Sequence, residues 1–286
     1  MNDLVIVAEI GSNWCHVNQP ELSRGCAIQA IKEAADAGAT VAKFQLFDNH
    51  LYSKKRAPKQ YEAMLPYQLP IDWLPALRNT ARACNVQLWA SVFSVDLIPL
   101  AVLYCDCLKI ASGDIDNEPL IRAVARACED NQRAMAISTG AAFGWEVESA
   151  MGWIKEYDIP DLTLFACVST YPAMPMEYNL RAILPWMDIV DAIGLSDHTL
   201  DIAVAQIAIG AGYSVIEKHF APLDCDRSNP DAGHSLPPKM FKEYVRALTT
   251  ARCILGNYTK QPKPSELGER IWARRGKDGL RPREEV

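Results

Sequence analysis

Two histidines stand at the ends of two predicted strands that follow each other along the chain. His198 lies in "GLSDHT" and His219 lies in "EKHF". Acidic side chains that are close in the sequence, Asp197, Glu217 and Asp231, could add oxygen donors. Imidazole and carboxylate ligands suit a borderline divalent metal such as Mn²⁺ or Fe²⁺. A single histidine of this kind is more often a hydrogen-bonded core residue, but the pair predicts a metal site formed by His198 and His219.

Two lysines, Lys43 and Lys109, occur inside apolar runs that are typical of strands. Lysine is rarely buried unless a partner or a ligand balances its charge. With hydroxyl groups and free amide N–H groups nearby, two such lysines could bind a phosphate or a carboxylate. A lysine in a strand could instead form a Schiff base with a carbonyl substrate. Sequence spacing alone leaves both roles open.

Eight short apolar segments, bounded by Gly, Asn, Asp or Pro, are predicted to be the strands that position these side chains. They span residues 4–11, 40–47, 87–93, 108–113, 134–140, 162–169, 191–196 and 214–220. Helical patterns lie between them over 21–37, 72–84, 119–128, 145–157, 200–209 and 238–255. Eight alternating units in about 255 residues predict a parallel (β/α)8 TIM barrel. A doubly wound open sheet is the alternative, but polar residues at nearly every strand end favour the barrel.

Composition narrows the class of protein. The 286 residues carry a formal net charge of −6 without a basic block, which argues against nucleic-acid binding. The N-terminus lacks a basic region, and no stretch reaches the ~18 apolar residues of a membrane span. The nine cysteines are expected to be reduced thiols of a cytoplasmic protein. We predict a barrel over residues 1–256 and an exposed extension, rich in proline and charge, over residues 257–286.

A series of short motifs runs through roughly residues 4 to 255. They are "AEIGSN", "GATVAKFQ", "LKIASGDIDN", "ISTG", "YPAMP…NL", "GLSDHT", "VIEKHF" and "PDAGHS". Together they resemble the sialic acid (N-acetylneuraminate) synthase family, which includes legionaminate, pseudaminate and spore-coat relatives. The resemblance implies a metal-dependent, aldol-type condensation of phosphoenolpyruvate with an open-chain aldose such as N-acetylmannosamine. Its products would be a 3-deoxy-2-ulosonic acid and phosphate.

The resemblance also implies roles for individual residues. His198 and His219 match the family's metal ligands, for which we expect Mn²⁺, with Mg²⁺ or Co²⁺ as alternatives. Asp114 stands where many members have a glutamate proposed to handle the proton of water, and Lys109 joins it among the expected catalytic residues. Expected phosphoenolpyruvate contacts are Lys43, Ser91, Lys109, Ser112, Ser138 and Ser196, with Ser169 in place of a family asparagine. Expected sugar contacts are Gln45, Tyr171 and Asp231.

Two departures from the family pattern concern the acceptor and the C-terminus. After the first strand, relatives usually continue Asn-His-Asn/Glu-Gly, whereas this chain reads Asn13-Trp14-Cys15-His16. The family normally adds a small C-terminal antifreeze-like domain, whereas this sequence ends at Val286, soon after "RIWARRGKDGLRP". We therefore expect a different mode of acceptor recognition, a separate polypeptide that supplies the domain, or substitution by the tail arginines. By family we also expect a homodimer.

Three alternative functions stay open from the sequence. One is a Schiff-base aldolase that uses Lys43 or Lys109. Another is a non-catalytic scaffold or regulator, a hypothesis motivated by the expected lack of the C-terminal domain. The third is a phosphoenolpyruvate aldol enzyme of the type that makes deoxyheptulosonate or deoxyoctulosonate phosphates, although such enzymes resemble "GLSDHT" and "EKHF" less closely.

Overall fold

The eight apolar segments form strands, as their content of branched and aromatic side chains favours. In the computed structural model, which describes residues 4–283, the strands are parallel and close into a barrel in chain order. They are β1 (Val5–Glu9), β2 (Val41–Leu46), β3 (Gln87–Val92), β4 (Cys107–Ile110), β5 (Ala134–Ser138), β6 (Leu162–Cys167), β7 (Ala192–Asp197) and β8 (Val215–His219). The predicted (β/α)8 barrel is therefore confirmed.

Helices connect most of the strands and cover them with apolar faces. They are α1 (Pro20–Asp36), α2 (Pro58–Met64), α3 (Leu74–Ala83), α4 (Ile98–Tyr104), α5 (Glu118–Asn131), α6 (Gly144–Ile154), α7 (Ala203–Gly210) and α8 (Pro238–Leu255). In α1, Pro20 stands in the first turn, where its missing N–H costs no hydrogen bond. Gly38 follows the last turn with a φ of 96°, a conformation that favours glycine.

Two kinds of connection depart from the prediction. Between β6 and β7, where none of the predicted helical patterns lies, residues Pro175–Glu177 and Leu180–Trp186 form short 3-10 helices. Pro185 lies inside the second of these, where a proline removes a backbone donor and disfavours a regular helix. Conversely, α2 and α4 are not predicted from the sequence, because seven residues are too few to display helical periodicity.

Alternate residues of the strands point towards the barrel axis and form two layers. The lower layer is apolar and contains Val7, Val41, Trp89, Cys107, Ala136, Phe165 and Val215. Phe165 has room there because the neighbouring strand carries Gly194, where a Cβ atom would lie 2.7 Å from its ring. Two positions further along the strands is a buried polar layer of Glu9, Lys43, Ser91, Lys109, Ser138, Ser196 and Glu217. The barrel thus places charged groups above an apolar floor.

The chain divides into two compact units, Met1–Cys253 and Ile254–Val286. The first contains the barrel. The second contains a short helix, α9 (Leu267–Ala273), which the sequence pattern does not predict. Within residues 4–283, none of the helices combines the length and the apolar character needed to cross a membrane.

Candidate active site

A cavity of about 560 Å³ opens at the carboxyl ends of the strands, the end of a TIM barrel where active sites are built. Twelve of the thirteen predicted site residues line it. They are Lys43, Gln45, Ser91, Lys109, Ser112, Ser138, Ser169, Tyr171, Ser196, His198, His219 and Asp231. With Glu9 from β1, which also lines the cavity, residues from all eight strands or their following loops are brought together.

Glu217 connects the two buried lysines at the centre of the polar layer. Its Oε1 atom lies 2.8 Å from Lys109 Nζ and 3.4 Å from Lys43 Nζ, and it also accepts a hydrogen bond from Ser196 Oγ at 3.0 Å. Burial by itself would raise the pKa of Glu217, but the two lysines outweigh it and lower that pKa to about 2. Glu217 is thus an anion that balances the lysines.

A second carboxylate, Glu9, lies on the other side of Lys43. Lys43 Nζ is 2.7 Å from Glu9 Oε2, and Gln45 Nε2 donates to Glu9 Oε1 at 2.8 Å. Burial opposes the charge of Lys43, yet Glu217 and Glu9 together raise its pKa above the ordinary value. Burial and the nearby Lys43 instead lower the pKa of Lys109. Glu9 and Glu217 both keep Lys43 in its charged form.

Small polar groups form the wall of the cavity beside the lysines. Ser138 Oγ is buried without a hydrogen-bond partner among the described residues. Gly140 donates its N–H to Ser112 Oγ at 3.0 Å. A Cβ atom at Gly140 would lie 2.2 Å from Ser169 Oγ and 2.7 Å from Ser112 Oγ, so glycine is what lets these two hydroxyls and this backbone N–H meet. An anion with several oxygen atoms would find donors here.

His198 is held in a defined orientation at the end of β7. Its Nδ1 atom lies 2.7 Å from the Val168 carbonyl oxygen, which fixes the proton on that nitrogen. Nε2 is therefore left with its lone pair, and it lies 3.3 Å from Ser196 Oγ. Burial lowers the pKa of His198 to about 4, so the ring is neutral at pH 7 and able to act as a metal ligand.

His219 belongs to a compact group of metal donors with Asp231 and His234. The three donor atoms lie within 4.8 Å of one another. His219 Nδ1 and His234 Nε2 are both buried without a hydrogen-bond partner among the described residues. Burial lowers the pKa of both rings. The ring of His198 lies 5.5 Å from that of His219, centre to centre, and Tyr171 packs against all three histidines.

Asp197, next to His198, faces away from the cavity and anchors the end of β7. Its Oδ2 atom accepts from Lys218 Nζ at 3.1 Å and from Tyr244 OH at 2.7 Å. Its Oδ1 atom accepts from the backbone N–H and hydroxyl of Thr199 at 2.9 and 2.7 Å. These contacts tie β7 to β8 and α8, and they fix the backbone that carries His198.

The model of the family described as "NeuB family" matches residues 30–260. The chain belongs to the NeuB family. Two relatives of this NeuB-family chain are the N,N'-diacetyllegionaminic acid synthase of Legionella pneumophila and the pseudaminic acid synthase of Helicobacter pylori. The first is 32% identical, over 94% of this chain and 78% of the relative. The second is 29% identical, over 93% and 79%.

A solved structure gives a matching result. The N-acetylneuraminic acid synthetase from Leptospira borgpetersenii serovar Hardjo-bovis, crystallised with citrate, superposes with a TM-score of 0.78 at 30% identity. The match covers 94% of this NeuB-family chain and 90% of that one. The family resemblance that the motifs indicated is thereby confirmed. The relatives named here are enzymes that synthesise sialic-acid-type sugar acids.

One predicted residue, Asp114, does not line the cavity in the part of the chain that the structure describes. It lies in a 3-10 turn after β4, where Asn117 Nδ2 donates to its Oδ1 atom at 3.2 Å. Burial raises the pKa of this carboxyl group. Asp116, two residues further on, lines the cavity instead, as does Glu146.

Several residues of the cavity or of the donor group are not among the predicted site residues of this NeuB-family chain. They are Glu9, Asp116, Glu146, Cys167 and His234. Glu217 is expected from the sequence only as a possible oxygen donor to the metal, whereas in the structure it pairs with Lys109 and Lys43. Strand periodicity could have selected Glu9 and Glu217, because each lies two positions from an apolar, inward-facing residue and therefore faces the axis of the barrel. His234 gives no such signal, because it lies in a loop whose path depends on tertiary contacts.

Proposed function

We propose that this chain condenses phosphoenolpyruvate with an open-chain aldose, an N-acetylmannosamine-like hexosamine or a related sugar. The products are a 3-deoxy-2-ulosonic acid of the sialic acid type and inorganic phosphate. The carbon–carbon bond forms between C3 of phosphoenolpyruvate and the aldehyde carbon. Water adds to C2, and the C–O bond to the phosphate breaks. The observation that carries this proposal is the convergence of Lys43, Lys109 and Ser138 at the closed end of a cavity in a NeuB-family barrel.

Phosphoenolpyruvate is the anionic substrate that suits this end of the cavity. Lys109 is buried and makes its ion pair with Glu217 alone among the described residues. An arriving phosphate or carboxylate can compete for that ammonium group and for the unpartnered hydroxyl of Ser138. Ser91, Ser112, Ser169 and Ser196 supply further hydroxyls around it.

The residues around the histidines fit a divalent metal. His198 offers the lone pair of Nε2, and His219, Asp231 and His234 offer a donor group with two ring nitrogens that have no hydrogen-bond partner among the described residues. Neutral imidazoles with one carboxylate suit Mn²⁺, with Mg²⁺ or Co²⁺ as alternatives. When bound, such an ion supplies Lewis-acid polarisation of the acceptor aldehyde. We propose His198 and His219 as ligands, with Asp231 and His234 as nearby donors.

The sugar is assigned to the outer half of the cavity. Gln45, Tyr171 and Asp231 line it there, and Ser12 orients Asp231 by donating from both its backbone N–H and its hydroxyl, at 2.7 and 2.8 Å. The carboxylate of Asp231 is thus fixed for a hydroxyl of the acceptor or for the metal. Asp114 keeps its proposed role towards the attacking water, and Asp116 is the competing candidate because it lines the cavity.

A Schiff-base mechanism is supported less well than this one. A nucleophilic lysine must be neutral, whereas Glu217 and Glu9 raise the pKa of Lys43. Lys109 has a lowered pKa, but its amine donates to Glu217 at 2.8 Å. We further propose that the enzyme is cytoplasmic, in keeping with nine free cysteines, and that it acts as a homodimer.

The deciding experiment measures phosphate release. Chain, Mn²⁺ and phosphoenolpyruvate are combined with a panel of unphosphorylated and phosphorylated hexosamines and pentoses. We expect phosphate only when metal, phosphoenolpyruvate and an accepted aldose are all present, together with a sugar acid detected by mass spectrometry. A borohydride-trapped pyruvate adduct with chelator-resistant activity would replace the proposal with the Schiff-base alternative. Failure of every aldose would favour the scaffold hypothesis.

A further inference from the structure

A second group of metal-binding side chains lies apart from the residues that line the cavity. It consists of His16 from the loop after β1, Cys26 from α1 and Asp224 from the loop after β8. The three donor atoms lie within 4.8 Å of one another. Cys26 is buried, His16 is half-buried and Asp224 is exposed, so the group has a buried base and an open rim. This rim gives an ion a path of entry.

Part of the group already has the spacing of metal ligands. Cys26 Sγ lies 3.5 Å from Asp224 Oδ1. A tetrahedral zinc ion, with bonds of about 2.3 Å to sulfur and about 2.0–2.2 Å to nitrogen or oxygen, separates its ligand atoms by about 3.3–3.8 Å. The longest separation within the group is at most 4.8 Å, which a small side-chain rotation can close.

His16 supplies an independent indication of a missing partner. Its Nε2 atom is buried and has no hydrogen-bond partner among the residues that the structure describes. Leaving such an atom unsatisfied is energetically unfavourable. The backbone N–H of His16 is meanwhile fixed by Ser23 Oγ at 2.9 Å, which anchors this residue beside α1. The backbone of His16 is thus anchored, while its ring nitrogen Nε2 has no protein partner within residues 4–283.

The negative surroundings of Cys26 disfavour an unbound thiolate and favour the binding of a cation. Burial, and then the neighbouring carboxylate of Asp224, raise the pKa of the Cys26 thiol well above its ordinary value. Glu33 adds to the negative potential and is itself fixed by the backbone N–H of Leu223 at 2.9 Å. A divalent ion reverses this effect, because it deprotonates a thiol that coordinates it.

We propose that His16, Cys26 and Asp224 form a structural zinc site, with water as the fourth ligand. Binding releases the thiol proton of Cys26 to solvent and adds no redox step. The ion ties the loop after β1 to α1 and to the loop after β8. The first of these loops also contains Ser12, whose N–H and hydroxyl orient Asp231 in the cavity. The site would therefore stabilise a wall of the acceptor pocket without contacting substrate.

Cobalt(II) tests this site separately from the cavity metal, because a thiolate ligand gives a cobalt charge-transfer band in the near ultraviolet. The full chain is stripped with chelator and titrated with Co²⁺, then with Zn²⁺. We expect the band to appear with Co²⁺ and to vanish as Zn²⁺ displaces it. Cys26→Ser should abolish the band, whereas Cys253→Ser, which changes an exposed thiol, should keep it.

Cys167→Ser is the second control, because Cys167 Sγ lies 3.9 Å from His198 Nδ1 and lines the cavity. The band should survive this change. Should Cys26→Ser misfold, Asp224→Asn and His16→Ala serve instead, and each should weaken zinc binding more than about tenfold. The proposal is overturned by absence of the band in the unmodified chain, by its survival in folded Cys26→Ser, by its loss in Cys167→Ser, or by unchanged zinc affinity in both Asp224→Asn and His16→Ala.

Discussion

Glu217 on β8 accepts a hydrogen bond from Lys109 on β4 at 2.8 Å, across the interior of the barrel. The two strands lie on opposite sides of the closed sheet, so this contact spans the space between them. Both side chains are almost fully buried, yet both line the cavity. Under the proposed function, phosphoenolpyruvate must therefore compete with Glu217 for Lys109.

Replacing Lys109 should show what this pair contributes. Lys109→Met removes the ammonium group, and we expect a loss of kcat/KM for phosphoenolpyruvate of about 100-fold or more. Glu217 keeps Lys43 at 3.4 Å, so the free energy of unfolding should fall by only about 1–3 kcal/mol. Phosphate release and urea denaturation measure the two effects. Lys32→Met, at an exposed lysine on α1, is the matched control, and equal losses in both variants would contradict the role of Lys109.

The histidines make a prediction about metal affinity. His198→Ala and His219→Ala should each weaken Mn²⁺ binding by more than about tenfold, as measured by electron paramagnetic resonance of the free ion. His234→Ala decides between two arrangements. An effect of similar size places the ion in the group of His219, Asp231 and His234, whereas unchanged affinity leaves it with His198 and His219. His50→Ala, an exposed histidine, should bind as the unmodified chain does.

The pH dependence of stability should follow from His198. Its pKa is about 4 in the folded chain against an ordinary value of 6.5, so the unfolded chain binds the proton more readily. Its contribution to the free energy of unfolding is therefore present above pH 6.5 and is lost as the pH falls from 6.5 towards 4. The loss amounts to roughly 3 kcal/mol in the metal-free protein. Urea denaturation at several pH values, compared with His198→Asn, measures it. The same slope in both proteins would refute the assignment.

The strands and their inward-facing polar residues were predictable because both follow from local patterns. A run of apolar residues ending in "SDHT" or "EKHF" marks a strand end, and parity along the strand determines which side chains face the axis. Chain order then brought Lys43, Lys109, His198 and His219 to one cavity, because consecutive strands are neighbours in a barrel.

The parts that could not be predicted depend on loops. His234 reaches His219 only because the segment after β8 folds back over the barrel, where Leu236 N–H donates to the His219 carbonyl at 2.9 Å. The family resemblance selects Asp114, but strand periodicity does not extend to Asp114 or Asp116, which both follow β4 within a few residues. The 3-10 turn at Ser112–Asp114 decides that Asp116, and not Asp114, lines the cavity. No periodic pattern encodes that turn.

These two carboxylates give the last prediction. If Asp114 handles the proton of the attacking water, Asp114→Asn should lower kcat by about 10²–10⁴-fold with little change in KM, and Asp116→Asn should be nearly silent. The lining of the cavity favours the reverse result, with the large loss in Asp116→Asn. Because Asn117 Nδ2 donates to Asp114, the Asp114→Asn change also places two amides together, and the fold of this variant must be checked by circular dichroism.

Steady-state phosphate release over a range of pH distinguishes the two aspartates as candidate bases. The variant that lacks the base loses the acidic limb of the pH profile, whereas the other variant keeps it. Retention of that limb in both variants would assign the proton to neither aspartate and make Glu146, which lines the same cavity, the next residue to test.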